Sequence, residues 1–128
     1  MREEISFEEL QIRRIARELV KEVYCRCPEV GNKDFNEYMR RVSWAVLCNI
    51  VEGHTGSSLK EFKFFMKMAL KGCEEMLNML EMARVRSYLE ENSIEKLAYL
   101  CKGMCLEIGR VIRKRGRKQR RLTFNDEV

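Results

Sequence analysis

Apolar residues along this chain recur at steps of three and four, the period of a helix that buries one face. Ile12, Ile15, Ala16, Leu19 and Val23 form the first such stripe, and Ser6 with Glu9 stands before it as a capping box. Pro28, which has no amide hydrogen to donate, ends the segment. A second segment opens on Asp34 and Glu37, and its inner face is Phe35, Tyr38, Met39, Val42, Val46, Asn49 and Ile50, closed by Gly53 and Gly56. Ser58 with Glu61 starts the third and longest stripe, Phe62, Phe65, Met66, Ala69, Cys73, Met76, Leu77, Leu80 and Ala83. Ser93 caps a fourth, Ile94, Leu97, Ala98, Cys101, Met104, Cys105, Ile108 and Ile112, which is predicted to fray in the basic stretch that follows. No strand-like alternation interrupts these periods. Helices of ~20 to 28 residues are ~30 to 42 Å long, and short connections make neighbours antiparallel. The pattern therefore predicts an all-α, up-down-up-down four-helix bundle over residues 1–112, with residues 113–128 as a partly disordered basic C-terminal tail.

Two of the helices carry more grease than one core can hide. At about 100° per residue, Trp44, Leu47, Cys48 and Val51 project opposite Phe35, Val42 and Val46. On the third helix Phe64, Met68, Met79 and Met82 lie behind the core stripe. Each large apolar side chain left in water forfeits roughly 1.5 to 3 kcal/mol of burial, so these faces predict a homo-oligomer built on Trp44, Leu47, Val51, Phe64, Met68, Met79 and Met82.

Composition sharpens this picture in two places. A chain of 128 residues, 45% hydrophobic, is one domain's worth with enough material for one core. Its apolar runs fall far short of the ~20 residues a membrane span needs, and Met1-Arg2-Glu3-Glu4 leads into no apolar signal region, so a cytoplasmic protein without a membrane partner is expected. The formal charge of +5 resides entirely in the last sixteen residues, which hold seven basic and two acidic side chains. The preceding 112 carry eighteen of each sign.

Candidate chemistry is thin. Six cysteines at 25, 27, 48, 73, 101 and 105 fall mainly inside helical patterns and lack the paired C-x-x-C spacing of a zinc site, so reduced thiols are expected, with no metal and no cofactor. Di-iron bundles need two Glu-x-x-His motifs, and His54 is the single imidazole. Gly53-His54-Thr55-Gly56-Ser57-Ser58 lacks the lysine of a phosphate-binding loop. No catalytic residue is assigned, and a non-enzymatic protein is expected.

Phe7-Glu8-Glu9-Leu10 through Ala16-Arg17-Glu18-Leu19-Val20-Lys21-Glu22-Val23-Tyr24 resembles the opening of the bundle proteins encoded by 23S rRNA intervening sequences. Asn49-Ile50-Val51-Glu52-Gly53 is similar to that family's Asn-Ile-Ala-Glu-Gly element, and Ser58, Lys60-Glu61-Phe62, Phe65, Ala69, Glu75 and Leu80 follow in register, so the resemblance spans about residues 7 to 112. Three positions depart from it: Arg13 stands where the family often has Trp, Leu47 where Pro is common, and His54 where an aromatic is usual. The resemblance implies a ring-forming bundle, typically a pentamer, without catalysis. It also implies kinship with accessory proteins of diversity-generating retroelements, which bind a reverse transcriptase and nucleic acid. For the Asn49, Glu52 and Gly53 motif a structural job suffices, with the Asn49 and Glu52 side chains bonding the loop backbone and the start of the third helix; a partner-binding loop is the functional alternative.

The basic stretch lies outside that pattern, so its role rests on charge. Arg113, Lys114, Arg115, Arg117, Lys118, Arg120 and Arg121 put seven cations into nine residues, which repel one another unless anions are supplied. RNA or DNA phosphates would supply them, and a ring would let several tails engage one strand. The reading is thus an oligomeric module contacting nucleic acid through phosphates. The alternative is an adaptor, such as a reverse-transcriptase accessory subunit, whose ring surface does the recognising.

Overall fold

The structure, a computed structural model, describes residues 5–28, 31–56 and 58–127. The residues Met1 to Glu4, Ser57 and Val128, which enter the readings above, lie outside this range. Four helices account for nearly all of it: α1 (Phe7–Arg26), α2 (Lys33–Thr55), α3 (Leu59–Arg86) and α4 (Glu91–Glu127). Each packs against its two neighbours around a square, α1 on α2 and α4, α3 on α2 and α4, and among the described residues no diagonal pair touches. End contacts fix the directions. The start of α1 meets the end of α4 through Glu9 and Arg115, and meets the end of α2 through Arg13 and His54. The end of α1 meets the first turn of α4, where Arg26 donates to Ser93. All neighbours are therefore antiparallel.

Local chemistry starts the helices much as their sequences dictate. The Ser6 hydroxyl accepts from the Glu9 amide at 3.2 Å while the Glu9 carboxylate accepts from the Ser6 amide at 3.0 Å, a complete capping box. Ser58 accepts from the Glu61 amide at 3.1 Å. Two caps differ from expectation. Asn32, not Asp34, caps α2, accepting from the Phe35 amide at 2.9 Å, because an Asx side chain serves only from the non-helical residue itself. Ser93 does not cap α4: the helix already runs from Glu91, and the Ser93 hydroxyl accepts from Arg26.

The predicted stripes meet in two stacked clusters. At one end Leu19, Val23, Phe35, Met39, Met76, Leu80 and Leu97 interdigitate; at the other Ile12, Val46, Ile50, Phe62, Met66, Met104 and Ile108 do so. Phe62 is wholly buried, which by itself stabilises the fold by roughly 1.5 to 3 kcal/mol. Gly53 does not end α2. It lies buried in its last turns, where a Cβ would sit 2.7 Å from the Met66 Cε and 3.3 Å from the Phe65 Cβ, so its bare backbone permits α2 and α3 to close on each other. The helix runs unbroken through Leu47. Polar groups also enter the interior: Asn36 donates to the Pro28 carbonyl and Ser43 to the Arg40 carbonyl. Burial pushes the Cys101 thiol up to about 12 and the Cys27 thiol to about 11, so both stay protonated, and the cysteines are free thiols.

The largest departure is the length of α4. It does not fray after Ile112 but continues to Glu127, and at 1.5 Å per residue it runs roughly 18 Å past its contact with α1. The basic stretch is the last four turns of a core helix, tied to the bundle by Lys114 and Arg115.

Candidate nucleic-acid interface

Helical geometry sorts the seven expected cations into three directions. Arg113, Arg117 and Arg120 recur at steps of four and three and share one outward face. Lys114, Lys118 and Arg121 are turned toward the start of α1. Arg115 points inward.

The outward face is longer than the basic stretch. Counting back by threes and fours from Arg113 reaches Arg110, Leu106, Lys102 and Tyr99, and counting forward from Arg120 reaches Phe124; all are exposed. Tyr99, Leu106 and Phe124 are 73%, 63% and 66% exposed, so rings and cations alternate along a stripe of roughly 37 Å. Arg113 and Arg120 lie back over Gly109 and Gly116, whose missing side chains leave room for the guanidinium groups one turn earlier. Arg110 is held by Glu107 at 2.7 Å, an exposed pair worth little against phosphate. Lys102, Arg110 and the aromatic members were missed when the basic stretch was treated apart from the helix before it. Their signal was the helical period carried across Ile112.

Arg115 serves the fold. Its Nη2 donates to the Glu9 Oε1 at 2.6 Å and its Nε to the same oxygen at 3.2 Å, and the guanidinium lies 4.4 Å from the centre of the Phe62 ring. Glu9 is a buried carboxylate, so this charge partner is what makes its position tenable. Next to it Lys114 pairs with Glu8 and holds that carboxyl below the usual range.

His54 completes the end of the bundle. Arg13 Nε donates to His54 Nδ1 at 2.8 Å, which leaves the proton of the neutral ring on Nε2, and the imidazole stacks on Phe62 at 6.2 Å. Burial lowers its pKa to about 4; nearby Arg13 and Arg115 push the same way and Glu9 opposes them. An uncharged, hydrogen-bonded ring among arginines has no nucleophile to activate here.

The expected oligomer face divides. Trp44 is 52% exposed, Phe64 58%, Met68 43% and Met82 39%. Val51 is half-buried, while Leu47 and Met79 pack against the two core clusters of their own chain and so leave the outward set, because their directions fall at the seams between helices. The Asn49 and Glu52 side chains do not do the loop work expected of them. The Glu52 carbonyl accepts from the Gly56 amide and the Thr55 hydroxyl, both at 3.0 Å, and Ser58 caps α3. Beside this turn a groove of about 520 Å³ runs between Glu52, Thr55, Lys60, Phe64 and Phe65. Among the described residues no group of His, Cys, Asp and Glu is placed to hold a metal, and no helix is long and apolar enough to cross a membrane.

Comparison with known proteins follows the architecture. A crystal structure from the S23 ribosomal protein family of Bacteroides thetaiotaomicron superposes with a TM-score of 0.77, covering 84% of this chain and 99% of that one at 15% identity, which establishes the shared fold. No curated protein matches the chain. The family model of the 23S rRNA-intervening sequence protein matches residues 8–112, the whole bundle up to the basic turns of α4, and the chain belongs to that family.

Proposed function

We propose that this protein is a non-enzymatic helical module that associates with RNA or DNA through phosphate charge, presented by the outer face of α4. One observation carries the reading: Lys102, Arg110, Arg113, Arg117 and Arg120 fall on a single exposed stripe interleaved with Tyr99, Leu106 and Phe124. Cations spaced 4.5 to 6 Å along a rigid helix, about three or four residues apart, neutralise successive phosphates, and exposed rings offer sequence-tolerant stacking. Because the charges sit on a helix rather than a loose tail, less chain entropy is lost on binding.

The module acts as a homo-oligomer. Exposed Trp44, Phe64, Met68 and Met82 favour association, and a ring, a pentamer by the family resemblance, multiplies the stripes available to one strand. A second reading is favoured by the groove between Glu52 and Phe65. It offers apolar area beside a polar rim to a protein segment, as an adaptor to a reverse transcriptase would require.

The test is fluorescence anisotropy with a single-stranded RNA at several salt concentrations. Binding should weaken with a logarithmic slope of about −0.7 per phosphate neutralised. The triple substitution Arg113→Gln, Arg117→Gln, Arg120→Gln should remove about three contacts and flatten the slope by about 2. An unchanged slope would take the stripe out of the account, and light scattering at the mass of one 15.3 kDa chain would remove the oligomer.

A further inference from the structure

The overhang of α4 does more than carry a stripe. Where it passes the start of α1 it closes one side of a cleft of about 470 Å³, within the range of small-molecule sites, with Ser6 and Glu9 on the opposite side. From α4 come Lys114, Arg115, Lys118 and Arg121, and between them Val111 and Leu122. The cleft therefore joins a cationic wall to an apolar one. Such a wall suits a ligand with an anionic end and a flat, weakly polar body.

Charge balance narrows the anion. The two carboxylates that meet this wall, Glu8 on Lys114 and Glu9 on Arg115, offset two of its four positive charges and leave a surplus of two. A phosphodiester brings a single negative charge, whereas a phosphomonoester carries about two near neutral pH and presents three acceptor oxygens to forked guanidinium and ammonium donors. The stripe on the outer face is convex and open, matched to the diesters of a passing strand. The cleft is concave, and its length is used up within three turns of α4, so it matches something that ends.

We infer that this cleft binds a nucleoside 5′-phosphomonoester, with the phosphate held by Lys118 and Arg121 beside the Glu9–Arg115 pair and the nucleoside against Val111 and Leu122. The inference rests on the nucleic-acid reading above and deepens it: α4 holds the body of a strand on one face and its 5′-phosphate on the next. A free mononucleotide shares the chemistry and is separated by competition.

The experiment compares one 3′-labelled RNA oligonucleotide carrying either a 5′-phosphate or a 5′-hydroxyl, with the full-length protein and with Arg121→Ala and Lys118→Gln. Two charge-assisted hydrogen bonds to a dianion should make the phosphorylated strand bind about tenfold tighter or more. Either substitution should bring the two strands together in affinity while circular dichroism shows the helices intact. AMP that abolishes the preference when its concentration merely matches that of the oligonucleotide assigns the cleft to free mononucleotides; a preference that survives a hundredfold excess assigns it to strand ends. Equal affinity of the two strands, with no measurable AMP binding, overturns the cleft and leaves the stripe standing. Loss of binding to both strands at low salt overturns the nucleic-acid reading itself.

Discussion

Arg13 donates to His54 across 41 residues of chain at 2.8 Å, so two of the three positions that depart from the family pattern touch each other. Where the resemblance leads one to expect a pair of aromatic side chains at the junction of α1 and α2, this protein has a guanidinium and a neutral imidazole bonded together over Phe62. The two departures are one structural change, and each residue supplies the other's partner.

Mutual dependence of this kind is measurable. Arg13→Trp alone leaves His54 without its donor, and His54→Tyr alone leaves Arg13 without its ring-nitrogen acceptor; each should cost about 1 to 2 kcal/mol in urea unfolding. The double substitution should cost less than their sum, with a coupling of about 1 kcal/mol, since two aromatic rings can pack in the vacated space. Strict additivity would show that the two sites are independent.

His54 should also set a pH dependence. Its folded pKa of about 4 lies below the ordinary 6.5, so the unfolded chain binds a proton that the folded one refuses. The stabilisation is complete above pH 6.5 and declines as pH falls toward 4. His54→Gln keeps an acceptor for Arg13 and has nothing to titrate. Urea midpoints should therefore drop more between pH 7 and pH 5 for the parent chain than for the variant, and parallel curves would refute the assignment.

The Glu9–Arg115 pair should respond asymmetrically. The Glu9 side chain is 5% exposed and that of Arg115 25%, so removing the cation strands a carboxylate that water cannot reach, whereas removing the carboxylate strands a cation that water partly can. Arg115→Met should cost about 3 kcal/mol and Glu9→Gln about 1 to 2 kcal/mol, the Gln retaining its place in the capping box. The reverse order in thermal or urea unfolding would contradict the burial on which this rests. The same pair explains why deleting residues after Ile112 is a poor test of nucleic-acid binding: it takes away a partner of the core along with the exposed cations.

One gain in stability is available at the end of α3. Ser87 sits at φ 56°, ψ 41°, while the Tyr88 amide reaches back to the Ala83 carbonyl at 2.9 Å. A side chain in this left-handed conformation costs roughly 1 to 2 kcal/mol, part of which glycine gives back through its freer unfolded chain. Ser87→Gly should raise stability by about 0.5 to 1 kcal/mol, and a lowered melting temperature would show that the cap depends on the serine itself.

The family of this chain, its four helices and most of their buried faces were legible because a helix places side chains by counting. A step of three or four residues returns to the same side whatever lies beyond it, so the stripes from Ile12 to Ile108 and the caps at Ser6 and Ser58 follow from local order. The same counting reveals the stripe from Tyr99 to Phe124 once α4 is followed past Ile112. It cannot say what a side chain meets. That Arg115 ends on Glu9, that Arg13 ends on His54, that Gly53 yields to Met66, and that Lys118 and Arg121 overlook a cleft all depend on how far one helix slides along another. That offset is chosen by the packing of two whole core clusters, with residues a hundred positions apart brought to one level, and it existed only when the four helices had closed on each other.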